Sequence, residues 1–172
     1  MLQRQKLHLL VTTALFAAAI TVMTAYMLHI PIPGTGGYVH LGDALIYLAA
    51  CLLPAPYAAA AAAMGAGLAD VLSPGGAVWA PATLVIKSVL VLFFTSRSER
   101  ILCPRNCAAV VAAGLFSPAA YGLYNCIIAG TMAAFAPQFL GTLVQGIGSG
   151  ALFLVIAPAL DGMKLKERVI HN

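Results

Sequence analysis

"LGDALIYLAACLLPAPYAAAAAAMGAGLADVL", residues 41–72, is an apolar-dominated run interrupted only at Pro54 and Pro56. Proline removes a helical hydrogen bond and clashes with the preceding turn, so the run reads either as one kinked helix or as two short ones joined at "PAP". The choice fixes how many times the chain crosses a membrane, and therefore on which side every other residue lies.

That the chain lives in a membrane follows from composition. Of its 172 residues, 62% are hydrophobic and 8% charged, with a mean hydropathy of +0.96. Soluble domains are roughly 45–50% apolar and about 25% charged. The expected fold class is an all-α membrane protein, one integral domain over residues 1–172, with five or six helices at about 20 apolar residues per crossing. Residues 8–28 form one run, too long for the about 7–15 apolar residues of a secretory signal. "HIPIPGTGGYVH", residues 29–40, is a loop by its prolines and glycines. Further runs fall near 80–95, 108–130 and 138–158, separated by "SPGGAVW" (73–79), "SRSERILCPRN" (96–106) and "TMAAFAP" (131–137).

Charge decides between the two readings of 41–72. One kinked helix gives five spans and puts Arg97, Arg100 and Arg105 across the membrane from Arg4 and Lys6, against the positive-inside rule. Two helices, 41–54 and 56–72, give a six-transmembrane-helix bundle with both termini cytoplasmic. The N-terminus, the arginine loop and the tail with Lys164, Lys166 and Arg168 then share the inner face, with eight of the nine basic residues. The ninth is Lys87.

With that topology each polar residue acquires a depth, and they gather at the outer half. Asp43 opens the second helix and Asp70 closes the third. Lys87 lies seven residues into the fourth, about 10 Å below the outer surface. Tyr121, Tyr124 and Asn125 come from the fifth helix, Gln138 and Gln145 from the sixth, and Tyr38, His40 and Trp79 from the outer loops. An ionisable group in hydrocarbon costs about 2.5 kcal/mol or more without a partner or an aqueous cavity, so such convergence marks a candidate site open to the outside. Each member also has a structural reading. Asp43 suits a helix N-terminus; either Asp43 or Asp70 can pair with Lys87; Trp79 and Tyr38 suit an interfacial belt; His40 reads as a solvated loop residue, Tyr121 and Tyr124 as packing, and Asn125 and Gln145 as interhelical hydrogen bonds. Together, aromatic walls with mixed donors and acceptors suit a small planar polar molecule.

No catalytic set accompanies the cluster. There is no H-E-x-x-H or G-x-S-x-G motif, and no Walker A sequence, so the chain is not expected to be an enzyme or to use ATP itself. Cys51, Cys103, Cys107 and Cys126 lack the spacing and companions of a metal site and read as free thiols. No metal, cofactor or nucleic acid is expected. Ala14 and Ala18 give the first helix a small-residue face, suited to close helix packing within the chain or against another membrane subunit.

Residues 39–88, "VHLGDALIYLAACLLPAPYAAAAAAMGAGLADVLSPGGAVWAPATLVIKS", resemble the middle of the substrate-binding S components of energy-coupling factor (ECF) transporters. The "HLGD" opening, the "GAGLAD" ending and "WAPATLVIK" occur in that family's order, nearest its riboflavin-type and hydroxymethylpyrimidine-type branches. The resemblance implies a cell-membrane protein that captures a vitamin or precursor with high affinity in an outward-facing pocket. It also implies partners: a transmembrane coupling (T) subunit, engaged through a small-residue patch here matched to Ala14 and Ala18, and two cytoplasmic ATPase subunits. A pyrimidine, a flavin and a deazapurine all remain open as ligands. Two other classes compete: a self-sufficient secondary transporter or channel, for which no internal repeat is seen, and a ligand-free structural membrane protein.

Overall fold

The computed structural model describes residues 2–35 and 37–167; Arg168 lies outside the described residues. Among the described residues there are six α-helices: α1 (Leu2–Tyr26), α2 (Gly42–Leu52), α3 (Ala55–Leu72), α4 (Ala80–Val91), α5 (Pro104–Ala129) and α6 (Phe135–Gly162). α1, α3, α5 and α6 are long and apolar enough to cross a membrane, whereas α2 and α4 are shorter apolar helices. A two-residue antiparallel ribbon, β1 (Ile30–Pro31) with β2 (Tyr38–Val39), ties the α1–α2 loop together.

The run at 41–72 is two helices, and proline chemistry sets the break. Pro54 has no N–H to continue α2, and Leu53 before it is extended, as the residue before a proline prefers. Pro54 then caps α3, and Pro56 occupies the first turn, where a missing N–H costs nothing. α4 stops at Val91, short of the expected 95, because Leu92, Phe93 and Phe94 donate three residues back and tighten the end. α5 starts within the expected 96–106 loop, since Pro104 at its first turn is pre-set for helix.

α2 is buried on every side except at Leu45, as its unbroken apolar sequence requires. Tyr47 at its centre stacks on Phe94 at 4.9 Å and meets Phe153 edge-on at 5.9 Å. α1 lies along α3 and α5 along α6. The α1–α3 approach is close because Gly65 has no side chain: a Cβ there would stand 2.7 Å from the Ala17 carbonyl oxygen. Thr21 Oγ1 sits at this seam, 2.9 Å from the carbonyl oxygens of both Ala17 and Gly65.

Two ends of the bundle result. At the basic end Asn106 of α5 holds the preceding loop: its Nδ2 donates to Thr95 O and Ile101 O, and its Oδ1 accepts the Thr95 N–H. Asp161 of α6 accepts the N–H groups of Ile101 and Leu102 at 2.7 and 3.0 Å. At the other end lie the loops 27–41, 73–79 and 130–134, and with them the polar cluster.

Candidate functional site

The cluster is built in two tiers. The lower tier is a buried ion pair. Lys87 of α4 donates to both oxygens of Asp43 in the first turn of α2, at 2.7 and 2.9 Å, and each side chain is 1% exposed. Gln145 Nε2 of α6 donates to Asp43 Oδ2 at 2.9 Å. Lys87 Nζ also lies 5.2 Å from the centroid of the Tyr121 ring, within cation–π range. Of the two acids open to Lys87, the structure selects Asp43. The pair locks α2, α4 and α6 together, and losing either member would strand a charge in the interior.

The upper tier surrounds Asp70 at the end of α3. Tyr38 of β2 donates its phenol to Asp70 Oδ1 at 2.6 Å and stacks on His29 at 3.8 Å. Burial, reinforced by the Asp70 charge, pushes the Tyr38 phenol far up, so it stays a donor. Asp70 Oδ2 has no hydrogen-bond partner among the described residues. Thr83, one turn before Lys87 on α4, shares a hydrogen bond with the Tyr121 hydroxyl at 2.7 Å. Gln138 of α6 donates through Nε2 to Thr142 at 3.0 Å, and among the described residues its Oε1 has no partner, nor has Trp79 Nε1.

His40 and Trp79 are corrections. His40 is buried rather than solvated, and its Nδ1 accepts the N–H of Gly42 at 3.0 Å, filling an open donor at the start of α2. Burial lowers its pKa to about 4, so the ring is neutral and can accept. Trp79 is 3% exposed, not in an interfacial belt. Gly75, in the left-handed conformation with φ 73°, starts a 3-10 turn at Gly76–Val78 that folds Trp79 inward, 6.1 Å from Tyr121 and 5.8 Å from Tyr124 between ring centroids.

These walls form a cleft lined by Gly37, Tyr38, His40, Asp70, Trp79, Thr83, Tyr121, Gln138, Thr142 and Gln145. The part into which a water can settle freely is about 30 Å³, enough for roughly two waters. Asp43 and Lys87 form its floor without lining it. Tyr124, donating to Val78 O at 2.8 Å, and Asn125, donating to Ala134 O at 2.9 Å, brace the wall from behind. Ala14 and Ala18 are far from the cleft by sequence position on α1 and are exposed.

Residues 4–161 match the family described as ECF-type riboflavin transporter, S component. The chain belongs to this family. As a member of it, the protein is a transporter subunit of the substrate-binding kind, and its apolar helices place it in a membrane. It is 34% identical over 157 residues to a protein of Pyrococcus woesei described as "Uncharacterized protein in gap 3'region", covering 88% of this chain and 97% of that one. No solved structure matches it.

For this S component, Gly37, Thr83 and Thr142 are the cleft residues that sequence reading missed. Two of them carried a signal. Thr83 stands four residues before Lys87, and Thr142 lies between Gln138 and Gln145 at spacings of four and three, so each shares a helix face with a residue already singled out.

Proposed function

We propose that this S component crosses the cell membrane six times with both termini inside, and captures a small heteroaromatic vitamin or precursor in the cleft above the Asp43–Lys87 pair. The observation that carries this reading is one cleft combining the aromatic rings of Trp79, Tyr121 and Tyr38 with three buried polar atoms that lack partners among the described residues. Aromatic faces recognise a planar ring, and unfilled polar atoms orient it.

The six-span topology is supported by the break at Pro54 and by the placing of the basic loop at one end. α2 and α4, with 11 and 12 residues, reach only about 17–18 Å at 1.5 Å per residue. Neighbours sheath α2 almost completely, which suits a short helix in a bilayer of about 30 Å.

Energy then comes from partners: a transmembrane coupling subunit and two cytoplasmic ATPases, as the family implies. Ala14 and Ala18 would meet the coupling subunit. Both are exposed on α1, in line with exposed Leu7, Val11 and Val22, so a second helix can approach closely there.

The test is uptake by cells producing this chain with and without a coupling module. Uptake is expected only with the module and ATP, and Ala14→Leu with Ala18→Leu should keep ligand binding while stopping uptake. Gradient-driven uptake by the chain alone would contradict the proposal and favour a secondary transporter.

A further inference from the structure

We infer that the recess at the basic end, between the Pro54–Pro56 turn and the loop after α4, binds an anionic phospholipid of the inner leaflet. Arg97 and Arg105 hold the phosphate, and the apolar wall takes an acyl chain. The inference rests on the topology proposed above, which puts this end inside, and is independent of what the outer cleft captures.

Helix lengths create the recess. α2 and α4 begin at the cleft, with Asp43 in the first turn of one and Trp79 capping the other, and run about 17–18 Å at 1.5 Å per residue. In a hydrocarbon layer of about 30 Å they end within its inner half. Pro54 turns the chain back into α3, and the residues after Val91 tighten and leave the helix, so neither helix continues to the inner surface. The hollow between these ends has Pro54, Pro56 and Leu92 on its apolar side and Ser96, Arg97 and Arg105 on its polar side. Leu92 is 58% exposed, so the apolar side presents hydrocarbon. A span shorter than its bilayer draws the neighbouring lipid down to meet it.

The charge of this recess is positive and unanswered. Arg97 and Arg105 are exposed and form no ion pair among the described residues. Arg105 Nε donates to Phe93 O only at 3.5 Å, which leaves the two terminal nitrogens to a ligand. Among the described residues no acid lines the recess. Glu99, the one acid of the 96–106 loop, lies outside its lining, and Asp161 is occupied by the N–H groups of Ile101 and Leu102. α5 starts here without a side-chain cap, and the positive end of its dipole adds to the field. Guanidinium groups grip phosphate through paired N–H donors, and basic pockets between spanning helices on the cytoplasmic side select anionic headgroups. A free anion would use the arginines and leave the apolar wall wet. A phospholipid meets both.

The test titrates the full chain in detergent with dioleoylphosphatidylglycerol or dioleoylphosphatidylcholine and reads lipid adducts by native mass spectrometry. The anionic lipid should bind about tenfold more tightly than the zwitterionic one, and the preference should shrink as salt rises. Arg97→Gln with Arg105→Gln should erase most of that preference. Ser96→Glu, which sets a carboxylate in the recess and keeps both arginines, should do the same and decides the matter if the double variant does not fold. Arg100→Gln, in the same loop but outside this lining, should keep the preference. Inorganic phosphate in large excess should not compete; if it displaces the lipid, the site is one for a free anion and the inference falls. It falls equally if the wild type binds both lipids alike, or if Arg100→Gln acts as strongly as the recess variants. Recess variants that keep the lipid preference but lose assembly with a coupling subunit would assign the recess to that partner and overturn the inference. Adducts form in detergent whichever way the chain faces, so all these failures leave the topology and the capture role standing. Protease cleavage of the 96–106 loop from outside intact cells would instead overturn the topology, and with it the assignment to the inner leaflet.

Discussion

The two ends of the bundle use polar side chains differently. At the basic end, Asn106 and Asp161 spend their capacity on backbone groups of residues 95–102, closing a loop that would otherwise expose unpaired N–H and C=O groups. Lys166 is the exception there: its ammonium has no partner among the described residues, and burial lowers its pKa. At the opposite end His40, Tyr124 and Asn125 also serve backbone groups, but around the cleft side chains of α2 to α6 and the α1–α2 loop meet one another, and three atoms have no partner among the described residues. Polar groups that satisfy backbone are scaffolding. Polar groups left unfilled beside aromatic rings are what the capture role proposed above needs.

The largest expected effect breaks the ion pair beneath that cleft. Lys87→Met leaves Asp43 charged and buried with only Gln145, and should cost about 3–5 kcal/mol, read as a large fall in melting temperature. Asp43→Asn combined with Lys87→Met should recover much of the loss. If Lys87→Met melts with the wild type, the pair is not what holds α2, α4 and α6 together.

Next comes acid. The folded pKa of His40 lies at about 4, below the ordinary 6.5, so the unfolded chain binds the proton more readily. Its contribution is complete above about pH 6.5 and is lost as pH falls toward 4, in all about 3 kcal/mol. Asp43, Lys87 and His29 face the ring and modulate this, burial being the main cause. His40→Asn keeps an acceptor for the Gly42 N–H and should flatten the difference in stability between pH 7 and pH 4. An unchanged pH profile would place the acid sensitivity elsewhere.

The third prediction separates the two ends. Asp161→Ala removes a charged acceptor from two backbone N–H groups and should cost about 2 kcal/mol without altering ligand affinity. Asp70→Asn should do the reverse, lowering affinity while leaving the unliganded melting temperature nearly in place. The smallest effect belongs to Ala14→Leu and Ala18→Leu, which face outward on α1. Their melting temperatures should reflect no more than about 0.5 kcal/mol, and a larger loss would mean that this face packs inside the protein.

Much of the architecture was legible because it rests on local or one-dimensional physics. The pair Pro54 and Pro56 marked where the run 41–72 breaks, although single prolines at 118 and 158 sit inside α5 and α6, and the distribution of basic residues grouped the loops. The grouping of Tyr38, His40, Asp70, Trp79, Tyr121, Gln138 and Gln145 around one cleft was anticipated as a gathering at one end, not as a geometry. The partner of Lys87 was not readable, because Asp43 and Asp70 both lie at that end, and the rotation of α2 about its axis decides which one faces α4. The solvated-loop reading of His40 and the interfacial-belt reading of Trp79 failed for a related reason. A loop drawn as sequence looks solvated, and only the β1–β2 ribbon and the turn after Gly75 show that these two loops fold over the bundle.

Trp79 is the single tryptophan of the chain, and it lines the cleft with its indole N–H unpartnered. Its fluorescence therefore reports on the site alone. Titrating the purified protein with a compound that raises its melting temperature should quench or shift Trp79 emission saturably, with the same midpoint as the thermal stabilisation, and Asp70→Asn should move both midpoints together. A stabilising ligand that leaves Trp79 emission unchanged at saturation would contradict the account and place the binding site elsewhere in the molecule.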